Sequence, residues 1–284
     1  MRLSLALCTV LIPFCGGLAQ RPEAGTSGPS RVDHPLFEAL RAQQTWRESR
    51  GSADVRLHVR DRSRAAATVT ALRLAILHHH GEVLRALGTA RAPGRVDVVV
   101  VDTREDVGRL AGGPPRAGLS FAAGGVAVVR LAPDMSVLLR HEMTHVVAHQ
   151  LWGDVTRSQD ANWLTEGVAV WVGGNCARVA TREAAALLRN ADSLPSLAAM
   201  RGPFYQLSEV PAYVGAASIV AYVAERYGTA SLAHLWRDGL DAFVRTRGIA
   251  LPAFERGWHS YLRATPLPAA VRAKAADSCL ATKR

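Results

Sequence analysis

His141 and His145 stand four residues apart in the run His141-Glu142-Met143-Thr144-His145. On an α-helix, residues at that spacing project from one face, one turn above the other. Two imidazoles so placed can share a single Zn²⁺ ion. Glu142 is rotated by about 100° from its neighbour; it is not a ligand by this geometry, and its carboxylate can hold a water beside the metal and take its proton. A catalytic zinc takes three protein ligands and keeps a fourth position open. Glu166, in Trp163-Leu164-Thr165-Glu166-Gly167 and 21 residues beyond His145, is the candidate third ligand. Gly153 and the polar residues 154–161 make a reversal, so two antiparallel helices can bring His, His and Glu onto one ion. His149 continues the row but would close the open position, and it reads as a surface or supporting residue. The competing reading of the histidines is burial against core carbonyls.

These side chains need helices to carry them, and the surrounding pattern supplies them. A helix is predicted over 134–152, with Asp134 as N-cap and Gly153 as stop, and a second from Asn162 to Gly173-Gly174. Further helices are expected over 182–190, 212–227, 231–247 with a break, and 252–264. Toward the N-terminus, β-rich runs at 55–59 and 96–101 flank a helical stretch over 62–87, a β-α-β start. Strands over 118–122 and 126–131 flank Gly124-Gly125 as a hairpin. His78-His79-His80 invites a metal reading, but adjacent helical histidines point in different directions; a helix-end dipole contact or plain exposure is the expectation.

Composition bounds the partners. The formal charge is +10, yet only Lys274 and Lys283 are lysines and the arginines are scattered without runs. No stretch interleaves aromatic and basic residues, so nucleic acid is not expected as a partner, while loose attraction to acidic envelope surfaces is. Arg2, the apolar residues 3–14 and Gly17-Leu18-Ala19 fit a cleaved signal segment, giving an exported, periplasmic or extracellular protein with no transmembrane span. Cys8 and Cys15 leave with it; Cys176 and Cys279 remain, as a disulfide or as two thiols. The expected organisation is signal 1–19, Gly/Pro/Ser-rich flexible leader 20–50, α/β subdomain 51–133, helical subdomain 134–265 and tail 266–284.

Over residues 96–262 the chain resembles the gluzincin metallopeptidases, in particular the peptidase MA-like group. The residues that carry the likeness are His141-Glu142-Met143-Thr144-His145, Asn162-Trp163-Leu164-Thr165-Glu166-Gly167, Tyr213 with the helix ending Glu225-Arg226-Tyr227-Gly228, and the segment from Ala253 to Leu262. The resemblance implies a zincin-like α+β fold: a small mixed sheet, a predominantly helical C-terminal half, and the active-site helix between them. It also implies Zn²⁺ on His141, His145 and Glu166, with Glu142 as general base and Tyr213 as oxyanion stabiliser. In related aminopeptidases that tyrosine sits in a Tyr-x-x-x-Gly context; here Ala217 replaces the glycine and Gly215 is displaced, so Tyr205 competes for the role.

Two departures narrow the expectation. No Gly-x-Met-Glu-Asn motif precedes the zinc helix, where the chain reads Gly118-Leu119-Ser120-Phe121-Ala122-Ala123-Gly124-Gly125; this argues against an aminopeptidase. Substrate is expected instead along an open strand at 126–129. Val170 stands where thermolysin-like enzymes carry an Asp that orients a ligand histidine, so that support must come from elsewhere or the site is tuned differently. The expected activity is a zinc-dependent peptidase, an endopeptidase, acting on peptide or protein. The alternatives are a non-catalytic zinc-stabilised envelope protein that binds peptides or cell-wall polymers, and a zinc hydrolase of a non-peptide amide.

Overall fold

A computed structural model describes residues 47–50, 54–59, 66–132 and 135–281. The predicted signal segment, residues 20–46 of the predicted leader, and Asp134 lie outside the described residues.

The centre of the N-terminal part is Val96–Val101, a run of valines interrupted only by Asp97 and buried throughout. Such a continuous apolar run fits a strand covered on both faces. It is β3 of a five-stranded mixed sheet with β1 (Arg47–Arg50), β2 (Val55–Val59), β4 (Gly118–Phe121) and β5 (Val126–Arg130), in the order β1-β2-β3-β5-β4. The β2–β3 and β3–β5 pairs are parallel; β1–β2 and β4–β5 are antiparallel. Helix α1 (Ala66–Ala86) makes the crossover between β2 and β3. On one face, Val98, Val100, Ala127 and Val129 join the main core with α1. On the other, Val99, Val101, Val126 and Val128 close over Val107 of α2 (Arg104–Leu110). Asp97 is accommodated by the buried His58, 2.9 Å away, which with Arg95 holds the carboxyl below its ordinary range against the opposing effect of burial.

Three expectations change here. Residues 47–50, read as leader, form β1. The segment 104–110, given no element, is α2, started by a Thr103–Asp106 capping box. The strand at 126–129 is not open: β5 lies between β3 and β4 with its valines fully buried, and the sheet edge on that side belongs to β4.

The rest of the chain is helical. Helix α3 (Met135–Trp152) lies between the sheet with α1 and helix α4 (Ala161–Gly173), which in turn packs on α7 (Glu209–Tyr227). Around them stand α5 (Thr181–Asn190), α6 (Leu197–Arg201), α8 (Ser231–Arg245), α9 (Leu251–Arg263) and α10 (Ala269–Ala276). The protein is therefore α+β, a small mixed sheet beside a mostly helical body. No helix among the described residues is long and apolar enough to cross a membrane.

Asp160, rather than Asn162, occupies the N-cap position of α4, and its carboxylate binds the surrounding loops. It accepts hydrogen bonds from Trp163 Nε1 (2.9 Å), Arg201 Nε (2.7 Å) and the main chain of Leu240 (2.9 Å). The last of these needs Gly239, whose φ of 77° kinks α8 where a side chain would strike Ser158 and Asp160. The predicted tail, residues 266–284, contains α10, and Cys279 is bonded to Cys176, with their Cα atoms 6.1 Å apart.

Candidate metal centre

The helix that carries His141 and His145 is held from both sides. Gly173, at the end of α4, lies so near the main chain of His141 that a Cβ there would come within 3.1–3.2 Å of it. Farther up α4, Gly167 meets the main chain of Ala216 on α7, where a Cβ would stand 2.9 Å from its carbonyl. These two glycines let three helices approach closely, and Glu166 beside Gly167 is thereby fixed opposite the histidines. The Arg140 guanidinium adds a tie, donating to the Gly173 carbonyl at 2.9 and 3.2 Å.

The result is a convergence of donors. The Nε2 atoms of His141 and His145 lie 3.2 Å apart, and Glu166 Oε2 is 3.3 Å from the first and 3.7 Å from the second. Ligands at zinc-bond lengths on a tetrahedral ion lie about 3.4 Å from one another. Three lone-pair donors aimed at one point repel unless a proton or a cation sits among them, so both chemistry and spacing fit a small divalent cation. The other Glu166 oxygen, Oε1, accepts a hydrogen bond from Tyr205 Oη at 3.1 Å. Tyr205 thus orients Glu166 rather than a histidine, and Val170 is a buried core residue with no polar side-chain group.

Burial sets the protonation of these groups. It lowers His145 to about 4, with the His141 charge acting the same way. Burial also opposes the charge on His141, but the hydrogen bond to Glu166 and the surrounding carboxylates hold that ring above its ordinary value. Glu166 resists its own burial and stays low through His141, His145 and Tyr205, whereas the Tyr205 phenol is raised by burial and by Glu166. Glu142 is pushed up to about 7, first by burial and then by the Glu166 charge, against the pull of His141, a Ser120 hydrogen bond and Arg116. A carboxyl poised near neutrality has the affinity a proton carrier needs.

Beside the donors opens a cavity of about 180 Å³, lined by Arg116, Gly118, Leu119, Ser120, Glu142 and Tyr213 among others. Its rim is β4, the edge of the sheet opposite β1. With Arg130 N–H bonded to the Ala117 carbonyl (3.1 Å), the antiparallel alternation turns the main-chain groups of Gly118 and Ser120 outward. Gly118 also makes room for Glu142: a Cβ there would stand 2.6 Å from its carboxylate and 2.8 Å from Leu138. Of the two tyrosines, Tyr213 lines the cavity and packs on Phe204, while Tyr205 holds Glu166. His149 is engaged by Asp154 (3.5 Å) and is not among the cavity residues.

No protein-family model and no curated protein matches this chain. The centre is therefore read from its own geometry.

A second group, His78, His79 and Glu82, also brings ligand atoms together. His79 Nδ1 is 2.7 Å and His78 Nε2 3.5 Å from the Glu82 carboxylate, which Arg140 reaches at 3.2 Å. The expectation for this run was a dipole contact or exposure: His78 is exposed and also meets Glu82, whereas His79 is buried against Glu82 and His80 is buried with no hydrogen-bond partner for Nε2 among the described residues. Two residues around the centre, Arg116 and Glu209, carried no signal in the sequence. Arg116, Gly118, Ser120 and Glu209 come from β4, the turn before it and the start of α7, far in sequence from the pentapeptide. A signal existed only for β4, in the stretch that stands where the Gly-x-Met-Glu-Asn motif is missing.

Proposed function

We propose that the protein is a zinc-dependent endopeptidase of the gluzincin type with a zincin-like arrangement. The observation that carries this reading is the meeting of His141, His145 and Glu166 within zinc-ligand spacing, with Glu142 beside them under the sheet edge. A zinc ion held by those three residues would polarise a scissile carbonyl and acidify a water. The chain's own residues do the rest. The outward main-chain groups of Gly118 and Ser120 pair with an extended substrate, adding it to β4 as a further strand. Glu142, near neutrality, takes the proton of the attacking water and hands it to the leaving amine. Ser120 keeps the Glu142 carboxylate oriented, and the Tyr213 phenol, on the cavity wall, donates to the oxyanion as it forms. Tyr205 holds Glu166 in place. The Cys176–Cys279 bond suits an exported protein in an oxidising compartment.

The test is turnover of a general peptide library by purified protein of known metal content. Activity should vanish with a chelator, return with Zn²⁺, and be lost in Glu142→Gln while zinc is retained. Full activity in that variant, or wild type carrying no more zinc than His145→Ala, overturns the reading. Zinc binding without turnover of any peptide points to the non-catalytic peptide- or polymer-binding protein instead.

A further inference from the structure

Glu209 opens α7 and lines the cavity beside the metal candidates, as do Arg116 and, one helical turn farther on, Tyr213. It makes no hydrogen bond or ion pair with any described residue, unlike Glu82, Asp97, Asp160 and Glu166, each of which is held by a cationic or hydroxyl partner. A helix N-terminus favours an acidic residue, but a solvent-facing carboxylate would satisfy that preference equally. Here the carboxylate is half-buried and pushed up to about 7 by burial and by the Glu166 charge, with Arg104 and His141 only partly compensating. Leaving such a group unpaired opposes the charge it can carry, and a positive group placed beside it removes the penalty.

We propose that Glu209 is a specificity residue, selecting substrates that place an ammonium or guanidinium group beside the scissile bond. This rests on the peptidase reading for its substrate, though not for its binding. Two sources offer that chemistry: a Lys or Arg side chain, and a free α-amino group. Because β4 leaves its edge open at Gly118 and Ser120, an extended chain can pass through, and the structure favours the side chain.

The experiment uses full-length, zinc-loaded protein and peptides identical except for Arg or norleucine next to the cleaved bond, each with a free and an acetylated N-terminus. Cleavage is measured as kcat/KM with wild type and Glu209→Gln, and binding by fluorescence anisotropy with Glu142→Gln and the Glu142→Gln/Glu209→Gln double variant. A charged hydrogen-bond partner predicts an Arg-over-norleucine ratio of about 10 to 100 in both readouts, falling toward one when Glu209 becomes Gln. Dependence on the free terminus instead of Arg assigns the cation to the α-amino group. Cleavage with no charge preference, or a preference that survives Glu209→Gln, overturns the proposal and leaves the peptidase reading standing. A charge preference in binding without any turnover does the reverse. Neither binding nor cleavage overturns both.

Discussion

Two clusters of His, His and Glu share their residue types but not their construction, one lying within α1 and the other drawn from α3 and α4. His78, His79 and Glu82 come from a single helix, so their carboxylate is met by a neighbour three or four positions away and by Arg140. His78 keeps 66% of its side-chain surface in water. The other cluster draws on two helices pinned by Gly167 and Gly173, its side chains are 13–16% exposed, and no Arg among the described residues pairs with Glu166. Desolvation and the convergence of three donor atoms make the second set a host for a cation, whereas Arg140 closes the first as an ion-pair network. Arg140 serves both, satisfying Glu82 with one nitrogen and the end of α4 with others.

Removing one member from each set gives the largest contrast. His145→Ala should lower zinc affinity by more than about 100-fold, and His79→Ala should leave it unchanged, by competition with a chromophoric chelator. Equal losses in both variants would erase the distinction. The glycines beside the clusters come next. Gly118→Ala forces the Glu142 carboxylate aside and should cut kcat about 100-fold at unchanged zinc content, since a displacement near 1 Å costs that much. Gly81→Ala in α1 meets only the flexible end of Arg85 at 3.4 Å and should raise stability by about 0.5–1 kcal/mol in urea denaturation.

The tyrosines should separate more gently. Tyr205→Phe unties Glu166 and should weaken zinc about tenfold; Tyr213→Phe should lower kcat alone. The smallest effect belongs to Glu82. Its carboxyl is held low, first by the His79 hydrogen bond, so it stabilises the fold above its unfolded value, near 4.3, and loses that contribution as pH falls through the folded value. Glu82→Gln should therefore be less stable than wild type at pH 6, by under about 1 kcal/mol because the pair is solvent-screened, with the gap closing as pH falls through the folded value. Thermal unfolding across that range checks it.

The donors were legible because local geometry defines them: four residues on a helix fix two imidazoles, and a capped helix after a reversal brings a third ligand back. The sheet edge was not. Whether β4 or β5 faces outward depends on β5 pairing with β3, a non-local contact that periodicity does not encode, and both strands read alike as apolar hairpin arms. Glu209 was invisible for the same reason: its distance to Glu166 is set by how α7 lies on α4. The tie from Tyr205 to Glu166 was not legible either, because a resemblance transfers residue types more readily than the direction in which a phenol points. Short elements such as α2 and α6 have too few residues to show a period.

Under the proposed peptidase function, the narrow ledge at Gly118 and Ser120 bears on which proteins could be attacked at all. Two outward residues read only a fully stretched backbone, whatever its side chains. A folded target, whose strands and helices already use their own amide groups, offers no such stretch, and a proline at a ladder position withholds the donor. The discrimination would fall on conformation before sequence, sparing intact neighbours and admitting chains that have lost, or not yet reached, their native state.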